Sequence, residues 1–238
     1  MSDSFKSKGI LDCSIVVPVY NEEESLRDLF GEILKVMTPM RNDYEVIFVD
    51  DCSSDASSKI INDFCDEFPE VAKNLPLTER SGQTYALKQG LESAIGKIVI
   101  SLDADLQNDP GDIPRLLEKM KEGYDCVCGW RKSRQDTVLK AAMSKFGNVM
   151  QRLFTGMKIH DVSCTLRAYK KECVGKIALN WEGQHRFIPL SLSLQGYRVG
   201  EIVSNHRKRK YGYSKYNHRR VFRVVVDFFR VLSVRGKK

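Results

Sequence analysis

The feature that most constrains the fold of this chain is a regular alternation of short β-branched runs with helical patterns between residues 14 and 129. Such alternation is typical of parallel strands that are joined by crossover helices. The predicted strands cover residues 14–19, 45–50, 97–103 and 124–129. Apolar residues spaced by three and four predict helices that begin near Leu26, Ala86 and Ile113. The predicted fold class is therefore α/β, with a mostly parallel central sheet and helices on both faces.

The 238 residues, of which 42% are hydrophobic, are enough for one well-buried domain. The seven cysteines are scattered, and several lie inside apolar runs, which predicts reduced thiols that pack as small hydrophobic groups. Cys126 and Cys128 lack the spacing of metal ligands, so no structural zinc is expected. We find no secretory signal pattern in residues 1–12 and no apolar stretch of about 18 residues, and we expect a chain that is neither secreted nor membrane-spanning.

The net charge of +7 comes largely from basic residues between Arg198 and Lys238. Such an asymmetric distribution indicates an anionic partner on one side of the molecule. Nucleic acid, anionic lipid headgroups and phosphorylated substrates all satisfy this requirement, so charge alone does not choose among them.

Acidic residues follow three of the predicted strands at the point where each strand ends. The clusters lie at residues 21–24, 50–55 and 103–107. Ligands of doubly wound sheets bind beyond the carboxyl ends of the strands, so we expect the clusters to converge on one edge. Each cluster taken alone is equally well explained as a cap on the following helix, because Asp, Asn and Ser are preferred N-caps.

Capping does not account for Asp103 and Asp105, alternate residues whose side chains point the same way along an extended chain. With the amide oxygen of Gln107 they form an oxygen-only ligand set that suits Mg²⁺ or Mn²⁺. Two unpaired carboxylates would repel each other, and a divalent ion that bridges to a diphosphate removes that cost. The sequence therefore predicts a metal site at these three residues.

Three segments carry a resemblance to a known family: Val-Pro-Val-Tyr-Asn-Glu at 17–22, Val-Asp-Asp-Cys-Ser-Ser-Asp at 49–55, and Leu-Asp-Ala-Asp-Leu-Gln-Asn-Asp-Pro-Gly-Asp-Ile-Pro at 102–114. They resemble the family-2 glycosyltransferases of GT-A fold. The likeness is greatest to the polyprenyl-phosphate branch, which includes dolichol-phosphate mannosyltransferases and bacterial undecaprenyl-phosphate glycosyltransferases. It extends over residues 14–216. Asp-Ala-Asp-Leu-Gln in this order and spacing is far more specific than an isolated Asp-x-Asp.

The resemblance implies roles for individual residues. It implies that the nucleoside is held by Pro18, Tyr20, Glu22 and Asp51. It makes Asp103 the bridge between donor and metal, with Asp105 and Gln107 as metal ligands. The basic stretch after Gly129 is implied to bind the acceptor phosphate, through Arg131, Lys140, Ser144 and Asn148. Lys140 stands where an arginine is expected, and a lysine keeps the charge but loses bidentate phosphate geometry. The implied catalytic residues are Asp103, Asp105 and Arg131.

Two further runs also resemble this branch, at residues 161–167 and 206–216. The second is similar to a flexible lid, in which Arg209, Ser214 and Lys215 are donors able to close over the donor diphosphate. Without the resemblance, a basic run of this kind is read as a solvated surface loop. A departure from the family lies at residues 79–83, where many relatives have Asn-x-Gly, although Gly82 can still supply a tight turn before the helix.

His185 is a candidate for a catalytic base. A phosphate monoester is already largely anionic at neutral pH, because its second pKa is about 6, so the acceptor needs no proton removed before it attacks. Positioning and charge neutralisation are expected to supply most of the barrier reduction. We predict a structural or acceptor-shaping role for His185, and a buried histidine satisfied by hydrogen bonds is the alternative.

The terminal segment, residues 217–238, predicts an amphipathic juxtamembrane helix. In helical projection Phe222, Val225, Val226, Phe229 and Leu232 share one face, and Arg219, Arg223, Asp227 and Arg230 form the opposite stripe. A broad apolar face with a basic edge suits a helix that lies in the membrane interface. The alternative is a helix packed on the domain's own core. The predicted organisation is a tail at 1–12, a catalytic domain at 13–216 that divides at 129/130 into donor and acceptor halves, and this helix.

These inferences predict a glycosyltransferase that moves a sugar from a nucleotide-diphosphate sugar to a polyprenyl phosphate, undecaprenyl or dolichyl, with Mg²⁺ or Mn²⁺ as cofactor. Inversion at the sugar is implied by the family resemblance alone. A UDP-sugar is preferred over GDP-mannose because residues 129–136 resemble the bacterial undecaprenyl-phosphate enzymes. The expected location is the cytoplasmic face of a membrane, peripheral or anchored.

Two other functions stay open at this point. A saccharide acceptor is disfavoured by the basic, serine-bearing stretch after Gly129, and an inactive nucleotide-sugar-binding subunit that docks on membranes is disfavoured by the intact metal ligands. Nucleic acid is not an expected partner, because the acidic strand-end edge would repel a phosphate backbone. The sequence leaves open a second copy of the chain, or a membrane protein, as a partner.

Overall fold

The computed structural model describes residues 11–40, 43–132, 159–211 and 219–233, and in these ranges the chain forms one seven-stranded sheet. The strands are β1 (Cys13–Val19), β2 (Tyr44–Asp50), β3 (Ala72–Pro76), β4 (Ile98–Ser101), β5 (Cys126–Trp130), β6 (Arg167–Lys170) and β7 (Val199–Val203). Their order across the sheet is β3-β2-β1-β4-β6-β5-β7. Neighbouring strands are parallel except at β6, which is antiparallel to both β4 and β5.

Helices cover both faces of this sheet. They are α1 (Leu26–Met37), α2 (Ser57–Glu67), α3 (Gln83–Ser93), α4 (Ile113–Met120), α5 (Lys171–Val174), α6 (Ile188–Leu194) and α7 (Arg219–Ser233), with 3-10 turns at Thr38–Met40, Pro110–Asp112 and Gln184–Phe187. Ile15 and Val17 of β1 face α1, α2 and α4, whereas Val16 faces α3, α5 and α6. Because successive strand residues point to opposite faces, one continuous apolar run supplies both cores. The predicted α/β fold with a mostly parallel sheet is confirmed.

The sheet also contains strands that the sequence pattern did not predict, namely β3, β6 and β7, and the helix α2 was missed as well. β3 lies at an edge, where polar residues and the terminal Pro76 are tolerated. β6 lies between β4 and β5 although it carries Arg167, whose side chain is fully buried. A charged residue in a central strand breaks the apolar pattern on which strand prediction depends. The predicted parallel strands β4 and β5 are therefore separated by an antiparallel strand from later in the chain.

The C-terminal helix α7 contacts the rest of the protein through a small apolar cluster of its own. The cluster consists of Ile159, Val162, Phe187, Leu190, Phe228 and Val231. Of the predicted apolar face, Val226 is 60% exposed and Phe229 is 51% exposed. The helix therefore packs on the body with one stripe and keeps part of the predicted apolar face outside.

One residue of α7 departs from its predicted position. Asp227 was placed on the polar stripe, but it is only 3% exposed, because its carboxylate lies against Gly183 of the body. Arg230, from the same predicted stripe, lies with its guanidinium 4.4 Å from the centre of the Trp181 ring. Within the described ranges, we find no helix with the length and apolar character that crossing a membrane requires.

Candidate active site

The carboxyl ends of β1, β2 and β4 meet at one edge of the sheet, and each is followed by a turn with an unusual backbone. In the described chain the non-glycine residues with positive φ are Asn21 (51°), Cys52 (58°) and Leu106 (60°), which follow these three strands. A left-handed backbone is unfavourable for residues that carry a side chain, and it persists only where the surrounding structure holds it. Such outliers cluster at functional sites. This edge, which also carries the predicted acids, is the candidate site.

The acids after β2 hold the neighbouring loops in place. Asp51 accepts hydrogen bonds from the backbone N–H of Ser81 at 2.6 Å and of Gly82 at 2.9 Å. Asp50 accepts a hydrogen bond from the backbone N–H of Ser53 at 3.0 Å. Both acids are nearly fully buried. Asp51, which was predicted to hold the nucleoside, thus also fixes the loop that precedes α3.

Asp103 follows β4, and its carboxylate is held by two neutral side chains. Nε2 of Gln83 donates to Oδ1 at 2.8 Å, and the hydroxyl of Thr165 donates to Oδ2 at 2.6 Å. Burial and the neighbouring charge of Asp105 raise the pKa of Asp103 to about 6, although the Thr165 hydrogen bond and the charge of Arg131 oppose the rise. The carboxylate is therefore fixed in orientation but needs nearby positive charge in order to ionise readily.

Asp105 already has a cation against it. One oxygen accepts a hydrogen bond from the backbone N–H of Gln107 at 3.1 Å, and the other pairs with the guanidinium of Arg209 at 2.5 Å. The side chains of this ion pair are 12% and 27% exposed, so the pair lies at the mouth of the site. The structure thus brings Asp105 and Gln107 together with Arg209.

Arg209 belongs to a basic segment, residues 206–211, that is fastened to α1 by ion pairs. Arg207 pairs with Glu32 at 2.7 Å, and Lys210 pairs with Asp28 at 2.7 Å. The hydrogen bonds of Lys210 and Tyr211 lower the pKa of the exposed Asp28 carboxyl. The arginine between the two anchors is in this way held over the end of β4.

Arg131, which was predicted to bind the acceptor phosphate, is engaged by a carboxylate of the protein. Its Nε donates to Oδ2 of Asp161 at 2.7 Å, one terminal nitrogen donates to Oδ1 at 3.0 Å, and the same nitrogen donates to the Ser163 hydroxyl at 2.9 Å. The two charged side chains are 13% and 5% exposed. Burial opposes the charge of Arg131, but the hydrogen bonds and charge of Asp161 raise its pKa above the usual range. The guanidinium is fixed and permanently charged.

The other predicted nucleoside residues line the β1 side of the site. Pro18 borders a small cavity together with Asp103. The guanidinium of Arg80, from the loop that departs from the family pattern, lies 4.0 Å from the centre of the Tyr20 ring. Glu22 accepts hydrogen bonds from the Ser25 hydroxyl through its backbone carbonyl at 3.0 Å and its carboxylate at 3.3 Å.

Some predicted residues fall in parts of the chain that the structure does not describe. These residues are Lys140, Ser144, Asn148, Ser214 and Lys215. Their assignments to the acceptor phosphate and the lid stay predictions.

A family model for glycosyl transferase family 2 matches residues 14–177, well over half of the chain. The chain belongs to glycosyl transferase family 2. The matched region contains all three acidic strand ends and the Arg131–Asp161 pair.

Relatives of this family 2 enzyme resemble it over nearly its whole length. The dodecaprenyl-phosphate galacturonate synthase of Rhizobium johnstonii is 34% identical over 226 residues, which cover 93% of this chain and 67% of the relative. The undecaprenyl-phosphate 4-deoxy-4-formamido-L-arabinose transferase of Proteus mirabilis is 37% identical over 220 residues, which cover 92% of this chain and 67% of the relative. The chain thus spans about two thirds of the length of these relatives.

Solved structures share the fold. A mannosyltransferase from Pyrobaculum calidifontis in complex with GDP-Man and Mn²⁺ superposes with a TM-score of 0.71 at 20% identity, covering 97% of this chain and 66% of the other. The glucosyl-3-phosphoglycerate synthase of Mycobacterium tuberculosis, in complex with Mn²⁺ and UDP, gives 0.67 at 16% identity, covering 93% and 80%. The family 2 enzyme therefore has the predicted GT-A fold.

The donor set after β4 fits a divalent cation. Two carboxylates and an amide are oxygen ligands, which Mg²⁺ and Mn²⁺ prefer, and so small a set leaves positions for phosphate oxygens. Within the described ranges no three His, Cys, Asp or Glu side chains are grouped so that they could hold a metal ion by themselves. The contact between Arg209 and Asp105 places a positive charge directly against one of these carboxylates. Asp103, Asp105 and Gln107 are thus suited to hold the metal.

Sequence reasoning missed the residues that orient this site, namely Gln83, Asp161 and Thr165. Asp161 and Thr165 lie in the run at 161–167 that resembles the family, but nothing in the run itself indicates which side chain reaches back to the end of β4. Gln83 directly follows Gly82, and its position as the first residue of α3 is the signal that could have placed it at the edge.

Proposed function

We propose that this family 2 enzyme transfers a sugar, with inversion, from a nucleotide-diphosphate sugar to a polyprenyl phosphate. The observation that carries the proposal is the similarity to polyprenyl-phosphate sugar transferases across 92–93% of the chain, which includes the acceptor half as well as the donor half. We assign the catalytic domain to residues 13–216, divided at 129/130 into donor and acceptor halves, and a membrane-associated helix to residues 217–238.

On the donor side, we assign the nucleoside to the edge formed by Pro18, Tyr20, Glu22 and Asp51. Asp103 holds the donor next to the ligands Asp105 and Gln107. The chemistry that a bound Mg²⁺ or Mn²⁺ supplies is neutralisation of the charge on the departing diphosphate. Arg209 contacts Asp105 at 2.5 Å, and its guanidinium can turn from this carboxylate to a diphosphate bound beside it. We assign Lys215 as a second donor to the diphosphate, from the same lid.

On the acceptor side, Arg131 presents a fixed positive charge, and Lys140 and Ser144 supply further donors for the lipid phosphate. A phosphate oxygen attacks the anomeric carbon from the face opposite the leaving group, the new C–O bond forms as the bond to the diphosphate breaks, and the nucleoside diphosphate departs with the electron pair. The attacking oxygen carries no proton at neutral pH, so the step needs no general base. We prefer UDP as the nucleotide.

For location, we propose that α7 lies in the membrane interface on the cytoplasmic side. Val226 and Phe229 project from the body at 60% and 51% exposure, on the face predicted to be apolar. Basic residues near the ends of the helix add attraction to anionic lipids. This arrangement would bring the acceptor phosphate and the transferase to the same surface.

The test of the donor assignment is thermal unfolding of the purified protein with UDP, GDP, CMP and dTDP, each with Mn²⁺ and with chelator. A ligand at about 100 times its dissociation constant adds roughly 2.7 kcal/mol of stability. We expect one nucleotide, UDP, to stabilise the protein only when metal is present. A folded protein that no nucleotide stabilises would overturn the assignment.

The test of the acceptor assignment is sugar transfer to undecaprenyl phosphate, with undecaprenol as the matched control that lacks the phosphate. The double variant Arg131→Gln/Asp161→Asn keeps a hydrogen-bonded pair without a buried unpaired charge. We expect it to bind donor normally and to lose transfer by about 100-fold or more. Transfer to undecaprenol, or to a saccharide but not to the lipid phosphate, would contradict the acceptor class.

A further inference from the structure

A buried hydrogen-bond network joins His185 to the end of β4, and the mechanism above makes no use of it. We propose that His185 is a positioning residue, which sets the orientation of the Asp103 carboxylate through the first turn of α3. The inference rests on the proposed function, because it takes Asp103 to be the residue that holds donor and metal.

The first link is the hydrogen bond between Gln83 and Asp103. The Asp103 carboxylate receives one hydrogen bond from Gln83 at 2.8 Å and one from Thr165 at 2.6 Å. Thr165 is itself fixed, because Nδ2 of Asn108 donates to its hydroxyl oxygen at 3.0 Å. Gln83 is the first residue of α3, so the direction of its amide depends on where that helix begins.

The second link is the start of α3, which has no side-chain cap of its own. Its N-cap residue is Gly82, with a φ of 93°. Backbone N–H groups at a helix start need acceptors from elsewhere, and here two distant carboxylates supply them. Asp51 accepts from the N–H of Gly82 at 2.9 Å, and Glu182 accepts from the N–H of Thr84 at 3.0 Å. The place where α3 begins is therefore set by residues outside the helix.

The third link is the contact between Thr84 and His185, both of which are 2% exposed. The Thr84 hydroxyl oxygen accepts a hydrogen bond from the N–H of Gly183 at 2.8 Å and lies 2.6 Å from Nδ1 of His185. The hydroxyl therefore ties the turn at Gly183 to the imidazole, whichever of the two side chains donates the proton between them.

The histidine is held from its other side as well. The backbone carbonyl of His185 accepts a hydrogen bond at 2.7 Å from Arg167, the buried arginine of β6. His185, Arg167, Gln83 and Asp103 all border the same small cavity. Loss of the imidazole would enlarge this cavity and release Thr84, so that Gln83 could turn away from the carboxylate.

The backbone of Gly82 disfavours a side-chain cap at the beginning of α3. A Cβ at this position would lie 2.7 Å from Oε2 of Glu182, and the positive φ disfavours any side chain. A serine or aspartate, which would cap the helix from its own chain, therefore cannot replace the glycine. The fold relies on Glu182 and His185 to hold the turn.

Four variants test the proposal. His185→Phe removes the hydrogen-bonding nitrogen at similar size, and His185→Asn restores a hydrogen-bonding side chain near the position of Nδ1. Thr84→Val removes the hydroxyl, and Gln83→Leu removes the final donor. Gln89→Leu, at a partly exposed position of the same helix, is the matched control. The measurements are the dissociation constant of UDP with Mn²⁺, the KM values for donor and lipid phosphate, and the thermal midpoint.

We expect His185→Phe and Thr84→Val to weaken metal-dependent UDP binding about tenfold, the value of one hydrogen bond, with the KM for lipid phosphate unchanged. His185→Asn should recover most of the loss. In combination with Gln83→Leu, His185→Phe should add little, because both changes break one network.

Other outcomes overturn the proposal. Strictly additive losses for the two sites, or normal UDP binding in folded His185→Phe and Thr84→Val proteins, would show that His185 does not act through Asp103. A loss of transfer with intact UDP binding would move His185 to the acceptor side. A wild-type protein that bound no nucleotide with metal would overturn the proposed function itself, and with it the role of His185.

Discussion

The ends of β2 and β4 carry the same residue type at the same edge of the sheet, yet their carboxylates are satisfied in different ways. After β2, Asp51 accepts from backbone N–H groups at 2.6 and 2.9 Å, and Asp50 accepts from another at 3.0 Å. After β4, Asp105 is balanced by the guanidinium of Arg209, and Asp103 has Asp105 as its neighbouring charge.

The difference separates acids that hold loops in place from acids that are prepared to bind a metal. Backbone N–H groups are neutral and fixed in the fold, so the acids after β2 complete loops that must persist. The acids after β4 repel each other and depend on a charge that can be exchanged. A carboxylate pair of this second kind is prepared for a cation, whereas the first kind is not. Four predictions test the distinction.

The largest effect is expected for Asp105→Asn, which keeps shape and removes charge. Metal-dependent nucleotide binding should fall by about 100-fold or more, because a direct metal ligand is lost. The free energy of unfolding should change little, since the ion pair with Arg209 lies at the mouth of the site. Calorimetric titration of UDP with Mn²⁺ measures the first effect and urea unfolding the second. Wild-type nucleotide affinity in this variant would remove Asp105 from the metal site.

Asp50→Ala should show the reverse pattern. Asp50 is 2% exposed, and its removal leaves the backbone N–H of Ser53 without an acceptor. We therefore expect the free energy of unfolding to fall by about 2 kcal/mol. Affinity for UDP with Mn²⁺ should change by less than about tenfold. Asp66→Ala, on an exposed acid of the following helix α2, is the control. A variant of full stability that has lost metal-dependent binding would erase the distinction between the two strand ends.

The pH dependence of stability without metal provides a third test. Because the folded-state pKa of Asp103 is raised to about 6, above its ordinary value of 3.8, the folded protein binds this proton more tightly than the unfolded chain. The contribution to stability is therefore present at low pH and is lost as pH rises from about 4 to 6. For a partly exposed carboxylate we expect about 1–2 kcal/mol.

Urea unfolding across this pH range, in chelator and in Mn²⁺, measures the effect. Comparison with Asp103→Asn isolates the contribution of this carboxyl from those of other groups. A change in stability through this window that is equal in both proteins would show that Asp103 is not the source.

The smallest effect is expected for Arg209→Gln, and its sign is the informative part. Removing the guanidinium frees Asp105, so Mn²⁺ alone should bind about fivefold more tightly, whereas UDP with Mn²⁺ should bind more weakly because a diphosphate contact is lost. Electron paramagnetic resonance of free Mn²⁺ reports the first quantity. Lys208→Gln, which removes one charge at an exposed position of the same segment, is the control. Weaker binding of Mn²⁺ alone would show that Arg209 does not compete with the metal.

The sequence allowed the framework to be predicted, and its failures have physical causes. β1, β2, β4 and β5 were found because their residues are apolar on both faces, and α1 and α4 were found because their apolar residues recur every three or four positions. β6 was missed because Arg167 is buried in the middle of the sheet, where backbone carbonyls of Val162 and His185 accept hydrogen bonds from its terminal nitrogens. Only the tertiary structure brings those carbonyls together.

The candidate site divides in the same way. Asp103, Asp105 and Gln107 could be predicted because their spacing is itself a chemical pattern. Thr165 lies 62 positions after Asp103 and Gln83 lies 20 positions before it, so no local pattern joins either residue to the carboxylate. Residues that bind a ligand can be recognised from type and spacing, whereas residues that orient them depend on contacts that form only in the folded chain.

The packing of α7 has a consequence for how the enzyme meets its lipid. Phe228 and Val231 join the helix to Phe187, two positions from His185, so the helix and the body cannot turn independently. If Val226 and Phe229 rest in the bilayer, the height and tilt of the catalytic edge above the headgroups are fixed by side-chain packing. Acceptor lipids would then reach the catalytic edge by lateral diffusion in the bilayer, with their phosphates at one fixed depth. The sugar nucleotide would reach the same edge from the aqueous phase.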